Sequence, residues 1–125
     1  MRIMIVDDEV DITRLTGIVF EVHGHETVTA YSGQECMKNL ESGKLPDLIL
    51  LDIMMPGISG LDICKKIKAD IRFSGIPVVI LSAKTDNNDI AEAYKAGAEG
   101  YITKPFDPDS LVRQAVGYVR PYKNK

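Results

Sequence analysis

The sequence predicts one doubly wound α/β domain, with five parallel strands in a central sheet and five helices on both of its faces. Three observations predict it. Short apolar runs recur along the chain, and four of them end in a reactive polar residue. Residues 3–6 run into Asp7-Asp8-Glu9, residues 48–51 into Asp52, residues 78–81 into Ser82, and residues 101–103 into Lys104-Pro105. The runs at 48–51 and 78–81 show no polar–apolar alternation, as strands covered on both faces do. Helical spacings with cap signals fall between the runs, and strict strand–helix alternation requires right-handed crossovers. Parallel strands deliver their last residues to one carboxyl edge, where open α/β sheets bind ligands.

The first strand is expected at about residues 2–6. A helix follows over about 9–23, with Leu15, Ile18, Val19 and Val22 at helical spacing as its apolar face, and Gly24 stops it. Glu26-Thr27-Val28-Thr29-Ala30 alternates in polarity, as an edge strand with one wetter face does. Ser32-Gly33-Gln34-Glu35 reads as a capping box for a helix that continues through Cys36 and Leu40 to Gly43. Pro46-Asp47 leads into the third strand, and Pro56-Gly57 makes a turn. Ser59 caps a helix carrying Leu61, Cys64, Ile67 and Ile71. Pro77 opens the fourth strand. Residues 86–89 cap a helix that passes through Ile90, Ala93 and Tyr94 and closes at Gly97. A short fifth strand is expected around 100–103. Asp107-Pro108 supplies a cap and a first-turn proline for the last helix, which carries Leu111, Val112, Ala115, Val116 and Val119 and is expected to end near Pro121.

The 125 residues suffice for one domain, spanning 1–125, with a sizeable core. The net charge of −3 argues against direct nucleic-acid binding, because phosphate backbones attract basic surfaces. The densest basic stretch, Lys65-Lys66 with Lys68, reads as a solvated helix face. The apolar start reaches only Val6, too short for a leader core, and no apolar stretch approaches membrane-spanning length. Cys36 and Cys64 are widely spaced and have no nearby histidine, so both are expected as free thiols on buried helix faces, which points to the cytoplasm. His23 and His25 are expected on the surface, far from the acidic edge.

At that edge Asp7, Asp8 and Asp52 would converge. Like charges so close repel and raise a pKa unless a cation sits among them. Carboxylate and carbonyl oxygens suit a hard, hydrated cation such as Mg²⁺, completed by phosphate oxygens. Asp7 or Asp8 would otherwise serve as a helix cap, and Asp52 as a loop cap. As a nucleophile, Asp52 would attack phosphorus and hold an acyl phosphate. Phosphoryl transfer needs mainly positioning and charge neutralisation, which Mg²⁺ and the Lys104 ammonium would supply. Ser82 adds a hydroxyl donor. Lys104-Pro105 is a candidate for a cis bond.

Thirty residues separate Asp52 from Ser82, and twenty-two separate Ser82 from Lys104. Over essentially its whole length the chain resembles the receiver domain of two-component response regulators. The resemblance is carried by Asp7-Asp8-Glu9, residues 50–57 (LLDIMMPG), Gly60, Leu81-Ser82-Ala83, Gly97-Ala98 with Tyr101, and Lys104-Pro105-Phe106. It implies a flavodoxin-like sheet of order 2-1-3-4-5. It implies that Asp52 is the phosphoacceptor and that Mg²⁺ or Mn²⁺ is held directly by Asp8 and by Asp52. Asp7 would act mostly through water, and the backbone carbonyl of Met54 would be a further ligand. Ser82 and Lys104 would each meet a phosphoryl oxygen, and Ser82 with Tyr101 would form the switch that repacks the face of the fourth helix, fifth strand and fifth helix. The implied partners are a sensor histidine kinase or a histidine phosphotransfer protein, a downstream effector or fused output domain, and on the same face a second copy of the chain. Within residues 1–125 no output domain is expected, nor any membrane contact or direct nucleic-acid binding. Such a protein is a phosphoacceptor, not a conventional enzyme.

Three alternatives share parts of this pattern. A hydrolase with an aspartate nucleophile expects a second aspartate two residues later, where this chain has Met54. A flavin carrier wants a Ser/Thr/Gly-rich loop after the first strand, where this chain has three acids. A pure binding module on the same fold would lack site residues, and none is missing.

Overall fold

The computed structural model describes residues 1–55 and 59–123, with side chains up to Val119. The turn expected at Pro56-Gly57 lies outside the described residues. Strands and helices alternate as β1 (Arg2–Val6), α1 (Val10–Val22), β2 (Glu26–Ala30), α2 (Gly33–Glu41), β3 (Leu48–Leu51), α3 (Gly60–Ala69), β4 (Val78–Ser82), α4 (Asn87–Lys95), β5 (Gly100–Thr103) and α5 (Pro108–Lys123). The strands form one sheet of order β2-β1-β3-β4-β5, and every pairing is parallel. No described helix is long and apolar enough to cross a membrane.

Alternating strand residues feed two cores, as a doubly wound sheet requires. Met4, Val6, Ile49, Leu51, Val78 and Ile80 face α2, α3 and α4, where Cys36, Leu40, Ile63, Cys64, Ile67 and Ala93 cover them. Ile3, Ile5, Leu48, Leu50, Val79 and Leu81 face α1 and α5, where Phe20, Leu111, Val112, Ala115 and Val119 cover them. β3 and β4 are buried at every residue, in keeping with their unbroken apolar runs, whereas β2 at the edge buries only Ala30. Both cysteines are free and buried.

The helix ends follow the expected caps. Ser59 accepts the Leu61 N–H, Asp86 the Asn88 N–H, and Asp107 the Ser110 N–H. At α2 the Ser32 hydroxyl accepts the Glu35 N–H, but Glu35 takes the Tyr31 N–H in return, one residue ahead of the expected partner. Gly24, Gly43 and Gly97 have φ of 87°, 99° and 103°, the left-handed geometry that ends α1, α2 and α4.

Three expectations are corrected. The apolar face proposed for α1 is not its buried face: Leu15 is 63%, Ile18 54% and Val22 77% exposed, while Thr13, Thr16, Gly17 and Phe20 are buried. The helical period was right and its phase was not. The Thr13 and Thr16 hydroxyls bond carbonyls four residues back, at 2.7 and 2.8 Å, so both polar atoms are satisfied beneath the helix. Ile71 lies beyond α3 and is 92% exposed, because Asp70 turns the chain by accepting the Arg72 N–H. α5 runs through Pro121 to Lys123.

Candidate functional site

The register carries each polar residue to the same end of the sheet. β1 and β3 pair Val6 with Leu51, so Asp7 and Asp52 follow side by side. β4 and β5 pair Ser82 with Thr103, and the Lys104 N–H bonds the Ser82 carbonyl at 2.8 Å. The four strand ends therefore place Asp7, Asp8, Asp52, Ser82 and Lys104 on one rim. Suitable oxygens of Asp7, Asp8 and Asp52 lie within 4.8 Å of one another.

Asp7 and Asp52 are buried, at 2% and 4% exposure. Asp7 Oδ1 accepts the Glu9 N–H at 3.0 Å, and Asp7 Oδ2 accepts from Lys104 Nζ at 2.7 Å. Asp52 Oδ1 accepts the Met54 N–H at 2.9 Å, and Asp52 Oδ2 lies 3.5 Å from Lys104 Nζ. Burial pushes the Asp52 carboxyl above its ordinary value. The Met54 N–H and the Lys104 charge pull the other way, and the Asp7 charge adds to the rise. Burial alone would lower the Lys104 ammonium, but the Asp7 bond and the Asp52 charge outweigh it and hold the lysine above its ordinary value.

Three carboxylates and one ammonium leave this rim short of positive charge. All-oxygen donors with an acidic excess are the chemistry a divalent hard cation takes. In a Mg²⁺ octahedron with bonds of about 2.1 Å, ligand oxygens stand roughly 3–4 Å apart, so a 4.8 Å cluster fits the ion with water completing part of its shell. Asp7, Asp8 and Asp52 therefore fit such an ion, with one of the carboxylates meeting it through water.

Ser82 and Tyr101 meet through one residue of the β4–α4 loop. The Ser82 hydroxyl accepts the Lys84 N–H at 3.2 Å, and the Tyr101 hydroxyl donates to the Lys84 carbonyl at 2.8 Å. Lys104-Pro105 is cis. An apolar recess of about 330 Å³, lined by Ile12, Ala83, Lys104, Pro105 and Phe106, opens beside the rim. His23 and His25 stand apart from it, His23 with Nε2 3.6 Å from Asp109 and His25 with Nδ1 3.3 Å from the terminal amine.

Two supporting roles had no sequence signal. Backbone amides of Glu9 and Met54 hold the carboxylates, and no residue pattern announces an amide. Lys84 matters through its own N–H and C=O, which any residue type supplies.

A family model described as the response regulator receiver domain matches residues 3–116. The chain is 38% identical over 119 residues to the DNA-binding response regulator MtrA of Mycolicibacterium paratuberculosis, covering 95% of this chain and 51% of that protein. It is 44% identical over 111 residues to the response regulator SaeR of Staphylococcus epidermidis, covering 89% and 47%. The chain thus spans about half the length of these curated relatives. Among solved structures, a CheY-like response regulator receiver domain protein from Methanospirillum hungatei superposes with a TM-score of 0.90 at 25% identity, covering 98% of this chain and 96% of that one.

Proposed function

The chain belongs to the response regulator receiver family of two-component systems, and from that premise we propose that it is a phosphoacceptor switch charged at Asp52. The observation that supports this most is the convergence of Asp52 with two further aspartates and a lysine on one rim. A carboxylate oxygen of Asp52 attacks the phosphorus of a phosphohistidine, the P–N bond breaks, and the imidazole leaves. Asp8 and Asp52 with the Met54 carbonyl, and Asp7 through water, would hold Mg²⁺ or Mn²⁺, which when bound neutralises charge on the transferring phosphoryl group. Lys104 lies 3.5 Å from Asp52 Oδ2 and is placed to pair with a phosphoryl oxygen. The bond from Met54 N–H fixes Asp52 Oδ1 and so orients the carboxylate. Hydrolysis by water later returns the free carboxylate and phosphate. The acceptor is consumed and regenerated, so the protein acts as a switch and not as a conventional enzyme.

Switching is argued from Lys84. A Ser82 hydroxyl recruited to a phosphoryl oxygen withdraws from the Lys84 N–H, and the same residue's carbonyl anchors Tyr101. Charge at Asp52 thus biases the ring of Tyr101 and the α4–β5–α5 face around it. The phosphoryl donor is a sensor histidine kinase or a histidine phosphotransfer protein. The reader of the switched face is an effector protein, an output domain or a second copy of the chain. We place residues 1–125 as the receiver unit, working in the cytoplasm without contacting nucleic acid itself.

The reading is tested by incubating the chain with radiolabelled acetyl phosphate and Mg²⁺. Wild type is labelled, Asp52→Ala is not, and chelation of the metal abolishes labelling of wild type. Label retained by Asp52→Ala at the wild-type level would show that the acceptor lies elsewhere.

A further inference from the structure

Asp8 sits in the three-residue loop between β1 and α1, flanked by Asp7 and Glu9. Glu9, the N-cap residue of α1, makes no side-chain cap bond, so the helix start does not anchor this loop in the usual way. The backbone on both sides of Asp8 is met from beneath by a single hydroxyl. Thr13 is fully buried, and its Oγ1 lies 2.7 Å from the Glu9 carbonyl oxygen and 3.1 Å from the Asp7 carbonyl oxygen. We infer that Thr13 is a positioning residue for Asp8, holding the loop so that the Asp8 carboxylate stands with those of Asp7 and Asp52 around a divalent cation. The inference rests on the phosphoacceptor reading and adds to it a residue outside the acidic rim.

A threonine on the buried side of a helix commonly returns its hydroxyl to the carbonyl four residues back. Thr16 does this, bonding the Ile12 carbonyl at 2.8 Å. Thr13 makes the same bond to Glu9 and also reaches the last carbonyl before Asp8. The two residues share type, helix and burial, and they differ in that one lies beneath the acidic loop. A valine at 13 keeps the shape and removes the only proton that side chain offers to the two carbonyls, so the loop loses this tie, while keeping the Glu9 N–H bond to Asp7 Oδ1, without a cavity forming. Outer groups that orient metal ligands cost about 10–100-fold in metal affinity when removed. Thr13 acts through backbone, so the lower end, about tenfold, is expected.

The test is calorimetric titration of Mg²⁺ into the purified chain and its variants, with thermal unfolding in chelator as the check on folding. Thr13→Val is expected to bind Mg²⁺ about tenfold more weakly than wild type. Thr13→Ser restores the affinity, and Thr16→Val leaves it unchanged. If Thr13→Val does not fold, Thr13→Ala is read the same way. Wild-type affinity in the Thr13 variants, or equal losses at 13 and 16, would overturn this inference and leave the phosphoacceptor reading standing. A wild-type chain that binds no Mg²⁺ would overturn both.

Discussion

At the residue scale the rim is an unbalanced electrostatic cluster. Asp7 and Asp52 are both buried, and the one nearby ammonium, Lys104, sits closer to Asp7 than to Asp52, at 2.7 against 3.5 Å. Asp52 is therefore the carboxylate least compensated for its burial, consistent with its raised pKa. A group whose folded pKa lies above its unfolded value binds more protons when folded. Its stabilising contribution is full below the unfolded value of 3.8 and is lost as pH rises through the folded value. Metal-free protein should consequently gain stability from Asp52→Asn at pH 7, where the variant removes the uncompensated charge. Mg²⁺ at a hundred times its dissociation constant should stabilise wild type by about 2.7 kcal/mol. It should stabilise the variant less. Mg²⁺ affinity should also fall as pH drops toward the raised Asp52 value. Thermal unfolding with and without Mg²⁺ across pH checks all four outcomes, and a destabilised metal-free Asp52→Asn would contradict the argument.

At the element scale, position depends on how closely backbones approach. Gly60, the first residue of α3, packs against the strand end that carries Asp52. A Cβ there would abut the Asp52 carbonyl oxygen and stand 2.5 Å from Ile53 Cα. Both are backbone atoms, so no side chain can swing away. Gly60→Ala is expected to cost about 1–3 kcal/mol of stability, as overpacking does. It should also slow phosphorylation, because the displaced backbone is that of Asp52 and its neighbour Ile53. Denaturant unfolding and acetyl phosphate labelling of the variant test the two effects. α1 gives the contrary lesson. Its sequence announces Leu15, Ile18 and Val22 as the buried stripe, yet the fold buries Thr13, Thr16, Gly17 and Phe20. Two threonines that satisfy their own hydroxyls against the helix backbone pack as methyl-bearing groups, which a hydropathy pattern scores as polar.

At the scale of the whole molecule, the parallel sheet assembles the rim, and one of the two cores beneath it holds two thiols that take no part in the rim. Cys36 and Cys64 lie in the core facing α2 and α3. Burial pushes the Cys36 thiol up to about 12. Burial, with the Glu99 charge adding and the Lys68 charge opposing, pushes the Cys64 thiol to about 11. Each folded value exceeds the reference value of 9.0, so the stabilisation these thiols provide is complete below pH 9 and declines above it. The decline approaches about 1.4 kcal/mol per pH unit for each thiol. Native protein at pH 8 should resist iodoacetamide at both cysteines, whereas unfolded protein reacts. Rapid labelling of either thiol at pH 8 under native conditions would show that the core opens there.

Much of this protein was legible along the chain. The unbroken apolar runs at 48–51 and 78–81 pointed to a two-sided sheet, because strands buried on both faces read as near-continuous apolar runs. Ser59, Asp86 and Asp107 marked helix starts by a local chemistry that acts within three residues. That Asp7, Asp8, Asp52, Ser82 and Lys104 gather at one sheet edge was equally legible, since they follow the ends of apolar runs. Tertiary structure alone decided the phase of α1, the continuation of α5 past Pro121 to Lys123 and the departure of Ile71 from α3. It also decided which carboxylate takes the lysine, and that Thr13 lies under the acidic loop. Local patterns follow from bonds between near neighbours, whereas these outcomes depend on the few ångströms separating strand ends that are distant along the chain.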